Sequence, residues 1–249
     1  MDRAVLLGSG GEMPTGRRET CAALLREGDR AVLIDAGTGT RRVVSDRGLL
    51  EGARRVDVVL THFHMDHVCG LLYLSVVDLP LVVWGPGRAL YGRPTAEILE
   101  RFISPPLSAH PLGALADAVE ELPLGEAEIG PFALRTRRQD SHSHPTLALR
   151  FGDDLVYCTD TGGEDATAEF AGSARVLCHE AWFERDPDDD EPAHCSAPRA
   201  ARLARDAQVG RLVLIHLDPS MPDHSAVLAA ARREFEETVL GEDGLDVLG

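Results

Sequence analysis

The densest group of chemically active side chains lies in the segment THFHMDH at 61–67. It places three of the chain's ten histidines and one aspartate directly after the apolar run VDVVL. In an extended His-x-His segment the imidazoles of His62 and His64 point to the same side, and Asp66 and His67 follow at the turn into the next predicted helix. Nitrogen and carboxylate donors without a thiolate suit zinc, manganese or iron. The segment therefore predicts a metal site.

The apolar runs around this segment predict alternating α/β structure. In the first half, strands are predicted at 3–8, 20–26, 30–37, 56–61 and 79–85, with helices near 40–50, 66–75 and 94–103. In the second half, strands are predicted at 131–138, 146–151, 154–159, 174–180 and 211–217, with a Gly152-Asp153 turn and helices near 197–207 and 223–238. Each half supplies one sheet and helices to cover it, and no linker divides the chain. We therefore expect two facing sheets between outer helices in one domain over 1–249.

Further ionisable residues lie where predicted strands end. His62, Asp160, His179 and His216 each stand at the C-terminal end of an apolar run. Strand ends at one sheet edge can converge, and loops on a rigid scaffold commonly carry chemistry. More than four donors exceed the need of one tetrahedral zinc ion, so two adjacent ions fit the donor count better.

Composition narrows the class of protein. The formal charge of −16 repels polyanions and disfavours a broad nucleic-acid surface, although paired arginines occur, and ERDPDDDE at 184–191 predicts a solvated acidic loop. No apolar run approaches the length of a membrane span and no signal peptide is visible, so we expect a cytoplasmic protein without a membrane partner. The five scattered cysteines are interpreted as reduced, small side chains packed beneath the site.

The segment THFHMDH resembles the HxHxDH signature of the metallo-β-lactamase superfamily. HSHPTLALRF resembles the family's third-histidine segment, whose register selects His142 over His144. YCTDTG and RLVLIH match the segments of the last two ligands. The resemblance implies the family's fold, a four-layer αβ/βα sandwich with two facing mixed sheets.

Within the superfamily, the chain is most similar to the branch of ribonuclease Z and related phosphodiesterases. CHEAWF and AHCSAP resemble this branch's His-Glu-Ala-Thr and His-Ser-Thr segments. Three departures stand out. Trp182 replaces the usual threonine, Thr38 replaces a common glutamate, and only a hairpin separates His142 from Asp160, where ribonuclease Z inserts its tRNA-gripping arm.

The resemblance also implies the ligands and a homodimer. One metal ion is held by His62, His64 and His142, the second by Asp66, His67 and His216, and Asp160 bridges them. We expect two divalent ions, with Zn²⁺ as the expected metal and Mn²⁺ or Fe²⁺ as alternatives. Two such ions lower the pKa of a shared water towards ~7 and make hydroxide available at neutral pH.

The acid that protonates the leaving group is assigned by the same resemblance. His194 is the candidate donor and Glu180 its partner, and Asp66 is included with them as a catalytic residue. His179 is expected beside the ligands. Asp35 either accepts an N–H from a ligating histidine or stabilises a turn.

These features predict a dinuclear-metal hydrolase that acts on a small anionic substrate, a small or cyclic phosphodiester. Three alternatives stay open. They are tRNA 3′-processing by ribonuclease Z activity, a lactone or thioester hydrolase on the same fold, and a metal-binding regulator without catalysis. Nucleic acid is disfavoured as a partner by the net charge and the missing arm.

Overall fold

The computed structural model describes residues 1–188 and 193–249, which form two mixed β-sheets. The first sheet contains, in spatial order, β1 (Arg3–Gly8), β2 (Ala22–Glu27), β3 (Arg30–Ile34), β4 (Arg55–Val59), β5 (Leu81–Gly85) and β6 (Ala118–Glu121). Strands β1 to β3 pair antiparallel, and β3 to β6 pair parallel.

The second sheet repeats this order of pairing along the chain. It contains β7 (Gly125–Ile129), β8 (Phe132–Gln139), β9 (Thr146–Phe151), β10 (Leu155–Cys158), β11 (Val176–Glu180), β12 (Arg211–Ile215) and β13 (Thr238–Leu240), with each strand beside the next. Strands β7 to β10 pair antiparallel, and β10 to β13 pair parallel.

Short helices connect and cover the strands. They are α1 (Arg41–Ser45), α2 (Met65–Val68), α3 (Gly87–Tyr91), α4 (Thr95–Leu99), α5 (Leu112–Leu115), α6 (Ala166–Ala171), α7 (Ala197–Asp206) and α8 (Ser225–Arg232), with 3₁₀ turns at Thr38–Thr40, Arg47–Leu50 and Cys69–Val76. The longest, α7, begins where the Ser196 hydroxyl accepts the Arg199 N–H and a proline occupies the first turn, both of which favour a helix start.

Three apolar clusters define the layers. Alternate strand residues such as Leu6, Ile34 and Leu149 meet between the two sheets. The other faces pack against helices, at Leu33 and Leu71 in the first half and in a comparable cluster beneath α6, α7 and α8 in the second. Strands covered on both faces read as near-continuous apolar runs. The four-layer αβ/βα sandwich expected from the sequence is confirmed.

One edge of the sandwich collects the strand ends that carry chemistry. Strands β3, β4, β10, β11 and β12 all deliver their C-terminal ends to it, and β9, which is antiparallel to β10, begins there. The β1–β2 loop lies at the same edge, because β1 runs parallel to β3 through β2.

Some sequence expectations are wrong in detail. The helix expected at 223–238 ends at Arg232, and Thr238 begins β13. The helices expected near 40–50 and 66–75 are short α and 3₁₀ turns. Of the acidic loop predicted at 184–191, residues 189–191 lie outside the described part of the chain. Within 1–188 and 193–249, no helix combines the length and apolar character needed to cross a membrane.

Candidate metal centre

Seven histidine and aspartate side chains from both halves of the chain converge at this edge. The loop after β4 brings four, the loop before β9 brings one, and the ends of β10 and β12 bring one each. Two groups have donor atoms within 4.8 Å of one another: His62, His64, His142 and Asp160 in the first, and Asp66, His67 and His216 in the second.

The carboxylate of Asp160 lies between these two groups. Its Oδ1 is 3.4 Å from His142 Nε2 and 3.8 Å from His62 Nε2. Its Oδ2 is 3.1 Å from His67 Nε2 and 3.4 Å from His216 Nε2. Each oxygen therefore faces a different set of imidazoles, as a bridging carboxylate requires.

Asp66 completes the second group. Its Oδ2 lies 3.3 Å from His67 Nε2 and 3.4 Å from His216 Nε2, and accepts the Glu12 N–H at 2.9 Å. Burial acts to raise the pKa of Asp66, but the adjacent imidazoles outweigh burial and hold the pKa well below its ordinary value. The carboxylate is therefore available as an anionic ligand.

A buried hydrogen-bond network behind the cluster orients two of the histidines. Asp35 accepts the Nδ1–H of His67 at 2.8 Å and the hydroxyl of Thr61 at 2.9 Å, and the Thr61 oxygen lies 3.0 Å from Nδ1 of His62. Of the two roles considered for Asp35, the structure shows the first. Because these contacts occupy Nδ1 of both rings, they leave Nε2 facing the cluster.

Two histidine ring nitrogens indicate whether the cluster could bind metal ions. Nε2 of His62 and of His67 are fully buried and have no aligned hydrogen-bond partner among the described residues. Buried polar atoms are normally paired, so unpaired imidazole lone pairs beside carboxylates point to cations. The cluster suits divalent metal ions.

The third-histidine loop presents one of its two imidazoles to the cluster. His142 donates its Nδ1–H to the Ala193 carbonyl at 2.8 Å, and its Nε2 lies 3.3 Å from Nδ1 of His64. His144 is exposed, with its ring centroid 5.7 Å from that of His64. The structure thus places the imidazole of His142, and not that of His144, in the first group of donors.

Three residues of the site adopt a left-handed backbone conformation that non-glycine residues seldom take. Asp35, Asp160 and His216 have φ values of +55°, +50° and +49°, and each directly follows or closely follows the end of a strand. Such conformations occur where surrounding contacts enforce them and are frequent at functional sites. Here the sharp turn sends each side chain across the sheet edge.

The predicted proton donor and its partner also lie together. His194 Nδ1 is 2.9 Å from Glu180 Oε2, and the fully buried Glu180 also accepts the N–H of Thr161. Burial acts to lower the pKa of the His194 imidazole, but the hydrogen bond and charge of Glu180 outweigh it and raise the pKa. His194, Trp182, five residues of the cluster and two loop residues, Glu12 and Ser143, line a cleft of about 170 Å³.

His179 and the cysteines lie apart from these groups. His179 is buried in β11 and donates its Nδ1–H to the Glu180 carbonyl at 2.8 Å, so it adjoins Glu180 through the backbone rather than a ligand. Burial raises the pKa of the Cys21 and Cys158 thiols to about 12. These thiols stay protonated and do not act as thiolate ligands at neutral pH.

The chain is similar to known metallo-hydrolases along nearly all of its length. The model of a family described as the beta-lactamase superfamily domain matches residues 30–217. Ribonuclease Z of Methanopyrus kandleri is 30% identical over 279 positions, covering 99% of each chain. Ribonuclease Z of Thermoplasma acidophilum is 29% identical over 295 positions, covering 97% of this chain and 94% of the relative.

A relative of similar size gives both a sequence and a structural match. The probable metallo-hydrolase YhfI of Bacillus subtilis is 28% identical over 247 positions, covering 96% of this chain and 95% of the relative. Its crystal structure, described as a metallo-beta-lactamase fold protein, superposes with a TM-score of 0.77 at 22% identity and covers 98% of this chain and 97% of that one. The chain therefore belongs to the metallo-β-lactamase superfamily, in its ribonuclease Z-like branch, and is a metal-dependent hydrolase.

Proposed function

We propose that the protein is a phosphodiesterase that acts on a small or cyclic phosphodiester. It would hold two divalent ions, with Zn²⁺ as the expected metal, and form a homodimer. The observation that carries the proposal is the pairing of His194 with Glu180 beside the carboxylate of Asp160. One ligand atom each of Asp160, His194 and His216 lie within 4.8 Å of one another. A proton donor thus stands next to the two groups of donors.

The seven cluster residues would hold the ions. His62, His64 and His142 would bind one, Asp66, His67 and His216 the other, and Asp160 both. Divalent ions supply an acidified water and positive charge for the phosphoryl oxygens. Their charge exceeds that of the two aspartates, so the cleft would attract a phosphodiester anion despite the protein's overall charge of −16.

The chain's own residues would handle the proton. Glu180 accepts from Nδ1 of His194, which fixes the ring and leaves Nε2 to carry a proton to the leaving oxygen. Glu180 is itself fixed by the Thr161 N–H, and the buried carboxylate stabilises the imidazolium form. Asp66, held by the Glu12 N–H, lines the same cleft.

The volume of the cleft, the length of the chain and its net charge of −16 favour a small substrate. The cleft measures about 170 Å³. The alignment with ribonuclease Z of Thermoplasma acidophilum runs over 295 positions, more than the 249 residues of this chain, whereas the alignment with YhfI runs over 247. This ribonuclease Z therefore contains inserted segments that this chain lacks.

The test is His194→Ala with two diesters of different leaving group. With an alkoxide leaving group, we expect the rate to fall by roughly 10²–10⁴-fold, the usual range for general acid catalysis. With a nitrophenolate, which needs little protonation, the loss should be much smaller. Metal content should not change. Equal losses on both diesters would remove the acid role. Intact turnover in His194→Ala would favour a lactone or thioester hydrolase, which does not need this pair.

Ribonuclease Z activity is the second candidate, because relatives 29–30% identical along nearly the whole chain carry that name. A panel of a chromogenic diester, 2′,3′- and 3′,5′-cyclic nucleotides, a lactone and precursor tRNA, each with Zn²⁺ or Mn²⁺, distinguishes the candidates. We expect turnover of the small diesters. Cleavage of precursor tRNA at nanomolar enzyme would establish the second candidate instead, and turnover of nothing would leave a metal-binding regulator.

A further inference from the structure

Trp182 lies against the proton donor, and the backbone keeps it there. The Trp182 N–H donates to the Cys195 carbonyl at 2.8 Å, and the Ala197 N–H donates to the Phe183 carbonyl at 2.8 Å. These bonds join the segment after β11 to the segment before α7. As a result, the ring of Trp182 stacks on the ring of His194, with 4.6 Å between centroids and 18° between planes.

The indole of Trp182 also lies close to the backbone of the β1–β2 loop at Gly11. A Cβ added at Gly11 would lie 2.7 Å from Cζ3 of Trp182 and 2.6 Å from Cε1 of His216. The β1–β2 loop therefore reaches both rings only because residue 11 is glycine. The β1–β2 loop thus packs closely against the indole at Gly11.

Among the described residues, one hydrogen bond orients the ring of His194, so a second contact is needed to fix its plane. The bond from Nδ1 to Glu180 fixes one atom, and rotation about that bond would carry Nε2 away from the cleft. Stacking restricts the plane of the ring, which a hydrogen bond to one atom cannot do. The ring of His216 is also nearly parallel to that of His194, at 5.5 Å and 19°.

We infer that Trp182 is a positioning residue that holds the plane of the His194 imidazole and so directs its Nε2 to the leaving group. The inference rests on the acid role of His194 in the proposed function. Threonine, the usual residue of this branch at the position, has no ring to stack.

The experiment compares Trp182→Ala, Trp182→Phe and the matched control Phe183→Ala. Phe183 is the next aromatic residue in the same segment but does not line the cleft. With an alkoxide leaving group, Trp182→Ala should lower kcat by roughly 2- to 10-fold, the range expected from a stacking contact. A nitrophenyl diester should be affected less. Trp182→Phe should retain most of the wild-type kcat, because phenylalanine can still stack. Phe183→Ala should not slow the alkoxide diester more than the nitrophenyl diester.

Two further measurements separate positioning from other roles. In the His194→Ala background, Trp182→Ala should cause no further loss on the alkyl diester. Protons over the face of an aromatic ring are shielded. In NMR spectra of Zn²⁺-loaded protein, the resonances of the His194 carbon-bound protons should therefore move downfield in Trp182→Ala and stay upfield in Trp182→Phe.

The outcomes also separate this inference from the proposed function. If His194→Ala slows both diesters equally, the acid role fails and the inference fails with it. If His194→Ala discriminates between the diesters but Trp182→Ala slows both equally, raises KM alone or adds to the loss in the His194→Ala background, only the inference fails. Trp182 would then be a wall of the substrate cleft.

Discussion

Asp160 is the residue on which the proposed two-ion arrangement depends. Its oxygens face separate sets of imidazoles, and the Thr159 hydroxyl donates to Oδ2 at 2.7 Å. Its φ of +50° belongs to the left-handed region, which aspartate and asparagine tolerate better than other non-glycine residues. Asparagine can therefore keep the backbone while removing the negative charge.

We predict that Asp160→Asn lowers the metal content of both sites together, because a single carboxylate contacts both sets of ligands. Wild-type protein purified without chelator should contain about two ions per chain, and elemental analysis measures both values. Loss of only one ion from the variant would show that Asp160 belongs to one site. One ion or none in active wild-type protein would contradict the dinuclear proposal.

His142 and His144 offer a matched pair two residues apart. We predict that His142→Ala abolishes phosphodiester hydrolysis and lowers metal content, because its Nε2 faces Asp160 at 3.4 Å. His144→Ala should keep both, because His144 is exposed and outside the two donor groups. Turnover and elemental analysis of both variants decide between them, and a larger effect of His144→Ala would overturn the assignment.

The types and spacing of side chains in the sequence predicted which residues form the site. They did not predict the contacts that depend on backbone geometry. The spacing of THFHMDH and the strand-end positions pointed to six of the seven residues that the structure brings together, and the family resemblance added His142; their role as ligands stays a prediction. The hydrogen bond from the Glu12 N–H to Asp66 has no sequence signal, because any residue offers that donor. The stacking of Trp182 on His194 likewise depends on pairing between segments that are distant from each other in sequence.

At the scale of elements, the loop before β9 is positioned by an acidic residue from another loop. Glu164 Oε1 accepts the Ser141 N–H and the Ser141 hydroxyl, each at 3.1 Å, and the Asp140 N–H at 2.5 Å. Its Oε2 accepts from Arg137 of β8 at 2.6 Å. One carboxylate thus joins β8, the segment after β10 and the loop that carries His142.

We predict that Glu164→Gln destabilises the protein by about 1–2 kcal/mol at neutral pH, since it replaces charged hydrogen bonds by neutral ones. Burial acts to raise the pKa of Glu164, but Arg137 and the loop N–H groups outweigh burial and lower the pKa. The stabilisation is therefore fully present above the unfolded-state pKa and is lost as pH falls through the lower folded-state value.

Urea unfolding of wild type and Glu164→Gln between neutral and acidic pH measures this difference. The gap between the two should be constant near neutral pH and shrink on acidification below the ordinary glutamate pKa. A gap that grows on acidification would have the wrong sign for a carboxylate with a lowered pKa. Glu169→Gln, a change in the neighbouring α6, is the control because the hydrogen bonds from Asp140 and Ser141 are accepted by Glu164 and not by Glu169.

The strands that the sequence failed to predict share weak apolar patterning. Strand β6 has no buried residue, and β7 has one, Ile129. Strand β13 has three residues and follows α8 so closely that the apolar pattern of the helix runs into it. These strands form through pairing with β5, β8 and β12, which is a tertiary interaction. The longer, doubly covered strands carry their own signal and were predicted closely.

At the scale of the whole molecule, the packed core and the site are separate. The three apolar clusters lie between the sheets and beneath the helices, whereas the seven proposed ligands lie at one sheet edge. The sandwich buries its apolar surface without contributions from those side chains. Metal binding would therefore add stability to a fold that forms without it.

We predict that chelation leaves a cooperatively folded protein whose melting temperature is lower by about 6–12 °C. Ligands that bind only the folded state stabilise it by roughly 3 kcal/mol or more at concentrations well above Kd, and a domain of this size shifts by about 2–4 °C per kcal/mol. Without ions, Asp35, Asp66 and Asp160 still face imidazoles at 2.8–3.4 Å, which limits the repulsion left behind. Far-UV circular dichroism should be unchanged at 25 °C, and re-addition of Zn²⁺ should restore the melting temperature and activity together. A chelated protein that loses its cooperative transition under mild conditions would show that the cluster is needed to form the sandwich, because the core alone would then be insufficient.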